Sequence, residues 1–434
     1  MSDHGAAAAA VAAVHRQDWG RVLAATVRVC RDLDLAEDCT QQAYAEALEH
    51  WPDDGIPANP AGWLITTARR RAIDAVRRQA TLRAKLPLLV EPSDAWDVAA
   101  EEVGAVDRLP SNVLSRGPEA DGTEELPDER LRLIFLCCHP ALAQDAQLAL
   151  TLRLVCGVPA ADIARLLLVS ETTMAARITR AKKKIRLARI PFRMPRAAEL
   201  PDRLRSVLGV IHLLFSSGHA APSGARLIHD DAADRAIALG RLLAALMPDE
   251  PEARGLLALM LVIDARRATR VTADGDLQLL EDQDRSRWDR VAIAEADALI
   301  VGNLRAGNPG RYTLQAAIAA LYAEAPSYQQ TDWGQLVMLY DRLLQIWPSP
   351  VVALNRSVPL SMVAGPEAAL RVVEEIEEAE ALPNYPYLPA VKADLLRRLA
   401  RPGDAAVAYR RAIDLTANDI ERRYLQGRLD LLGS

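Results

Sequence analysis

Apolar residues recur along this chain at three- and four-residue spacing and almost nowhere at alternating positions, which predicts helices and no substantial sheet. Residues 33–51 turn Leu35, Cys39, Ala43, Leu48 and Trp51 inward and Glu37, Asp38, Gln41 and Gln42 outward. Residues 59–79 give a second amphipathic helix, with Leu64, Ala68, Ala72 and Ala75 as its packing stripe. Arg70, Asp74 and Arg77 stand opposite that stripe, and Arg69, Arg71 and Arg78 flank them. Between 159 and 189 two helices meet at a short break, Leu168-Val169. Pro159 suits a first helical turn, where its missing N–H costs nothing, and Ser170 reads as an N-cap. In the second helix Met174, Ile178, Ala181 and Ile185 form a buried stripe. Thr172, Ala176, Arg180 and Lys183 face away from it, with Thr173, Arg177 and Lys184 alongside.

Charge changes the meaning of that second helix. No acid lies between Glu171 and Glu199, while nine Lys and Arg fall from Arg177 to Arg196, a field suited to phosphate contacts. Thr172, Thr173 and Arg177 sit where a helix N-terminus meets base edges. Arg180 and Lys182 to Lys184 sit better for backbone. A solvated charged helix is the plainer alternative, but a capped helix after a short one at a tight corner is the more specific pattern. The net charge of −6 hides this segregation. Six arginines from Arg69 to Arg83 face only Asp74, and twelve acids from Glu91 to Glu129 face only Arg108 and Arg116 before the basic helix begins.

The 434 residues, half of them hydrophobic, suffice for several domains with real cores. Aromatics are only 4%, and alanine, leucine and arginine dominate. No apolar run is long enough to span a bilayer, and the alanine-rich start lacks a basic leader region, so a cytoplasmic location is expected. Five cysteines in helical patterns read as reduced thiols. Cys137, Cys138 and His139 invite a metal reading, yet adjacent cysteines point to different helix faces and no second ligand pair follows. No phosphate loop, nucleophile elbow or paired carboxylates appear, so neither an enzyme nor a cofactor is expected.

Three ordered segments resemble the bacterial sigma-70 superfamily, in particular its extracytoplasmic-function (ECF) sigma factors. Ala36-Glu37-Asp38 with Gln41 and Tyr44 is similar to the family's AED-x-x-Q-x-x-F segment. Residues 63–78 resemble its WL-x-x-x-A-R-N-x-x-x-D-x-x-R segment, and residues 159–186 resemble region 4. The resemblance implies binding to core RNA polymerase, through its β′ and β subunits, and to promoter DNA. Glu37, Asp38 and Gln41 would dock on the β′ clamp helices. Arg69, Arg70, Arg71, Asp74, Arg77 and Arg78 would engage the −10 element, and Thr172, Thr173, Arg177, Arg180, Lys183 and Lys184 the −35 element. Two departures stand out: Arg70 replaces the usual Asn, which removes support for a base-specific role there, and Leu168 replaces a turn glycine. Apart from the resemblance, Trp63 reads as core in preference to base stacking, and Glu37 and Asp38 as charges favourable near a helix start.

The expected organisation is all-α: a region 2 bundle at 10–80, an acidic linker at 81–127, a region 4 helix-turn-helix at 128–192, a helical extension at 200–330 and TPR-like repeats at 331–432. The linker's composition reads as a solvated tether, and the resemblance implies that it threads the polymerase channel, where its acids would mimic nucleic acid. In the repeats, the segments from Val351 and from Leu388 align at an offset of 37 residues, against a usual period of about 34. Such a stack suits a protein partner, or an intramolecular contact holding the DNA-binding parts. His212, His219 and His229 are scattered, and residues 216–224 read as a loop. The sequence therefore points to an alternative sigma factor with a regulatory TPR-like extension. The alternative is a helix-turn-helix regulator or TPR scaffold without sigma activity.

Overall fold

A computed structural model describes residues 2–85, 129–167, 169–219, 230–272, 276–307 and 309–432. Among these the chain forms eighteen α-helices, and the only β pairing is an isolated bridge between Val271 and Leu277. None of the described helices is long and apolar enough to cross a membrane. Contacts divide the chain into two compact units, Met1–Val210 and Ile211–Ser434, with the boundary inside one helix, Leu200–His219.

The first unit begins with α1 (Ser2–Cys30), α2 (Leu33–Asp54) and α3 (Pro60–Lys85), each packed on the other two. Asp32 starts α2 by accepting from the N–H groups of Asp34 and Leu35 at 2.9 and 3.0 Å, and Asn59 accepts from Gly62 N–H at 2.9 Å at the start of α3. The bundle core takes Ala36, Cys39, Ala43, Ala47 and Trp51 from α2, and Leu64, Ile65, Ala68 and Ala72 from α3. Two α2 positions depart from the periodic reading. Leu48 is 48% exposed, because the buried face runs through Tyr44, Ala47 and Trp51 instead. Glu37 is buried, not outward, since a second layer covers it. Trp63 is half-buried, its ring edge-on to Trp51 at 5.7 Å.

That second layer comprises α4 (Arg130–Cys137), α5 (Gln144–Leu150) with a wider turn over Thr151–Val155, α6 (Ala160–Leu166) and α7 (Glu171–Leu187). Here α1 packs against α4 and against the 151–155 turn. Two glycines allow the close approach. A Cβ on Gly20 would stand 2.4 Å from the Val155 carbonyl oxygen, and one on Gly157 would stand 2.7 Å from the Trp19 ring, itself 4% exposed. Gly157 also has φ +69°, a conformation costly for other residues. Cys137 and Cys138 are buried in this layer, and burial pushes both thiols up, Cys138 to about 12. Among the described residues no three His, Cys, Asp or Glu side chains gather as a metal-binding group. Leu168 and the acidic linker beyond Lys85 lie outside the described residues, so the turn-glycine departure and the mimicry reading gain no structural account.

The second unit begins at Ile211 within α8 (Leu200–His219) and contains α9 (Asp230–Leu246), α10 (Pro251–Asp264), α11 (Arg290–Arg305) and α12 (Arg311–Glu324). Helix α8 includes Ser216 to His219, which the sequence reading placed in a loop; His229 lies outside the described residues. Helix α10 is buried nearly all round and packs on α9, α11 and α12. Polar groups at these crossings are paired: Asn303 donates to the Pro251 carbonyl and to Thr313 Oγ1 at 2.8 and 3.1 Å, and Glu252 accepts from the N–H groups of Tyr312 and Thr313. Then α13 (Trp333–Ile346), α14 (Pro350–Val363), α15 (Pro366–Glu378), α16 (Tyr387–Arg398), α17 (Pro402–Leu415) and α18 (Asp419–Asp430) pack in succession, each on the next. The α14–α15 and α16–α17 hairpins begin 37 residues apart, and their second helices 36 apart. At that second spacing the buried Ala369, Val373 and Ile376 correspond to Ala405, Tyr409 and Ala412.

Candidate nucleic-acid interface

Helix α7 presents the basic face. The Ser170 Oγ accepts from Thr173 N–H at 3.2 Å and donates to Thr173 Oγ1 at 2.8 Å, which fixes the first turn. Met174, Ile178, Ala181 and Ile185 are buried, leaving Thr172, Thr173, Arg180, Lys183 and Lys184 exposed. Arg177 is half-buried and pairs with Asp145 at 3.5 Å, and Lys184 reaches the Ala141 carbonyl. Lys182 parts from its neighbours. It turns inward, where its ammonium meets Asp34 at 2.8 Å and Glu37 at 2.7 Å. Burial works to lower this ammonium, but the hydrogen bonds with Asp34 and Glu37 outweigh it and hold the group above its ordinary range. The helical period contained the signal: residue 182 follows Ile178 by four and borders the buried stripe.

Helix α3 presents a second basic face. Arg70, Asp74, Arg77 and Arg78 are exposed, Arg69 and Arg71 half-buried. Arg71, Asp74, Arg77 and Arg78 line one cleft, and Arg71 is steadied by Glu46 and by Gln42, whose side-chain oxygen accepts at 3.2 Å. Arg78 donates to the Asp74 carbonyl at 3.3 Å. Burial, then repulsion from Arg28, lowers the Arg69 guanidinium. Arg28 in turn pairs with Glu129 at 2.6 Å, so α1 is tied to the start of α4 by charge as well as by packing.

On α2, Asp38 and Gln41 are exposed, whereas Glu37 lies at the seam between the two layers. Its carboxylate pairs with Arg153 and with Lys182, neither of which the sequence reading linked to it. Losing one of these cations would leave the buried carboxylate with a single partner. The structure thus gathers Glu37 and the basic helix α7 into one contact, and keeps Asp38, Gln41, the α3 cleft and the outer face of α7 open.

Comparison with known proteins agrees with this arrangement. Residues 16–81 match the family described as Sigma-70 region 2, and residues 132–185 match Sigma-70, region 4. Residues 203–303 match a family of unknown function, DUF6596. An uncharacterized protein of Rhizobium meliloti (strain 1021) is 43% identical over 414 residues, covering 95% of this chain and 94% of the relative. The ECF RNA polymerase sigma factor SigK of Mycobacterium bovis (strain BCG / Pasteur 1173P2) is 25% identical over 182 residues, 41% of this chain and 84% of the relative. SigK of Mycobacterium ulcerans (strain Agy99) is 40% identical over 60 residues, 14% of this chain and 32% of the relative. No solved structure matches the chain. With region 2 and region 4 both matched, in order, on the two helical layers that carry the basic faces, the chain belongs to the sigma-70 family as an ECF-type sigma factor of transcription initiation with a helical C-terminal extension.

Proposed function

We propose that α2 docks on the β′ clamp helices of core RNA polymerase, with Asp38 and Gln41 as the first contact and Glu37 joining once its cations are released. Contacts to the β subunit complete the holoenzyme. Helix α3 then engages the −10 element, with Arg69, Arg70, Arg71, Asp74, Arg77 and Arg78 along the opened strand. Helix α7 reads the −35 element through Thr172, Thr173, Arg177 and Arg180, while Lys183 and Lys184 hold phosphates. The role is non-enzymatic and cytoplasmic, and the TPR-like extension regulates it. The carrying observation is the separation of surfaces: exposed carboxylate and amide on α2, and two exposed basic faces on α3 and α7.

The Glu37 contact gives this reading a sequence of events. In the arrangement described, the residue assigned to polymerase is held by Lys182 of the −35 helix and by Arg153, so docking exchanges those partners. Affinity for core polymerase, measured by fluorescence with labelled protein, tests the division of labour. The double change Asp38→Lys with Gln41→Lys is expected to weaken it at least tenfold. Arg180→Ala is expected to leave core affinity within twofold and to weaken promoter DNA binding. Unchanged core affinity in the double variant would overturn the assignment of α2.

A further inference from the structure

Between α10 and α11, the described residues 265–272 and 276–289 form a built loop. Asp289 N–H donates to the Ala265 carbonyl at 3.0 Å and closes its base, and Gln278 N–H donates to the Arg270 carbonyl at 2.9 Å across it. Trp288, 3% exposed, anchors the loop, its Nε1 donating to Thr269 Oγ1 at 2.9 Å. Asp276 extends the loop's reach to Arg423 of α18 at 3.2 Å.

Two guanidiniums attend the Trp288 ring. The Cζ of Arg285 lies 4.5 Å from its centroid and that of Arg266 5.8 Å. Arg285 Nη1 donates to the Tyr322 and Ala325 carbonyls at 2.6 and 2.9 Å, both neutral acceptors at the end of α12. Its Nη2 is buried without a hydrogen-bond partner, and so is the Nε of Arg266. Among the described residues neither arginine has a carboxylate partner. Buried N–H donors are rarely left unpaired, and a pair of neighbouring cations is rarer still without an anion.

We propose that Arg266 and Arg285, with the Trp288 indole beside them, form a binding site for a small oxyanion, a phosphate or a carboxylate, which supplies the acceptor both orphaned N–H groups lack. Guanidinium forks suit either anion because each offers paired oxygens. Burial, followed by the like charges of Arg270 and Arg285, lowers the Arg266 guanidinium to about 10, as expected of a cation short of counter-charge. Stacking on an indole offsets part of that deficit but accepts no hydrogen bond from Nε. An anion here ties the loop to the end of α12, and through Asp276 the loop also holds α18. The extension thereby gains a chemical input of its own.

The full-length protein is titrated with sodium phosphate and, separately, sodium succinate, each against sodium chloride at matched ionic strength. One or both should raise the unfolding midpoint saturably, by about 3 °C at tens of millimolar. Phosphate acting alone identifies free phosphate as the source, succinate alone a carboxylate metabolite, and mutual competition a shared site. Arg266→Met should remove the increment, and should itself melt no lower than wild type in chloride, because it deletes an uncompensated charge. Should that variant fail to fold, Arg266→Lys keeps the charge without Nε and is expected to weaken the anion midpoint at least fivefold with unchanged helical circular dichroism. The site is refuted if neither anion acts beyond chloride, if Arg266→Met keeps the full increment, or if Arg266→Lys binds as wild type does. None of these readouts depends on transcription.

Discussion

His212 lies against Tyr312, ring centroids 5.5 Å apart, and burial followed by the charge of Arg311 lowers its imidazole to about 4. An unfolded chain takes up that proton near pH 6.5, whereas the folded one resists it to about pH 4. The stabilisation is therefore fully present above 6.5 and is lost as pH falls from 6.5 to about 4, on the order of 3 kcal/mol in all. Proton NMR of the folded protein should show the His212 ring unprotonated at pH 5.5, with a midpoint near 4; a midpoint near 6.5 would contradict its burial. This histidine was visible in sequence only as one of three scattered rings, because nothing local announces that Tyr312 and Arg311, a hundred residues away, enclose it. Glu37 carries the same lesson. Its helical period turns it outward, and it is buried because a second helical layer arrives there.

Helices were far more legible than their neighbours. The stripe Met174, Ile178, Ala181 and Ile185 was readable from spacing alone and is buried. The Ser170 cap was equally plain, since a short hydroxyl before an amphipathic run meets the free N–H groups of the first turn. Replacing it, Ser170→Ala, should cost about 1 kcal/mol of stability and weaken −35 DNA binding, with affinity for core polymerase unchanged. Thermal unfolding alongside DNA titration checks this, and a variant with wild-type stability would show the cap to be idle. The described parts of the α10–α11 connection, 265–272 and 276–289, were not legible, because they are held by hydrogen bonds at the base and by Trp288 instead of any period. The α14–α15 and α16–α17 helix pairs recur at the 37-residue offset read from the sequence.

At the scale of the whole chain, charge segregation governs. A net charge of −6 coexists with two basic helices because acids outnumber bases elsewhere, most densely between Glu91 and Glu129. Three ordered motifs made the sigma character readable, as each is a local pattern of a few residues. The seam through Trp19, Gly157 and Glu37 was not, because it joins residues more than a hundred positions apart. The most direct test is transcription itself: the full-length protein is added to core RNA polymerase on a genomic template pool, and the 5′ ends of the transcripts are mapped. Discrete starts, each downstream of shared −35 and −10 elements, are predicted, absent without the protein and lost with Arg180→Ala. A protein that binds these templates yet yields no transcript above core polymerase alone would contradict the account.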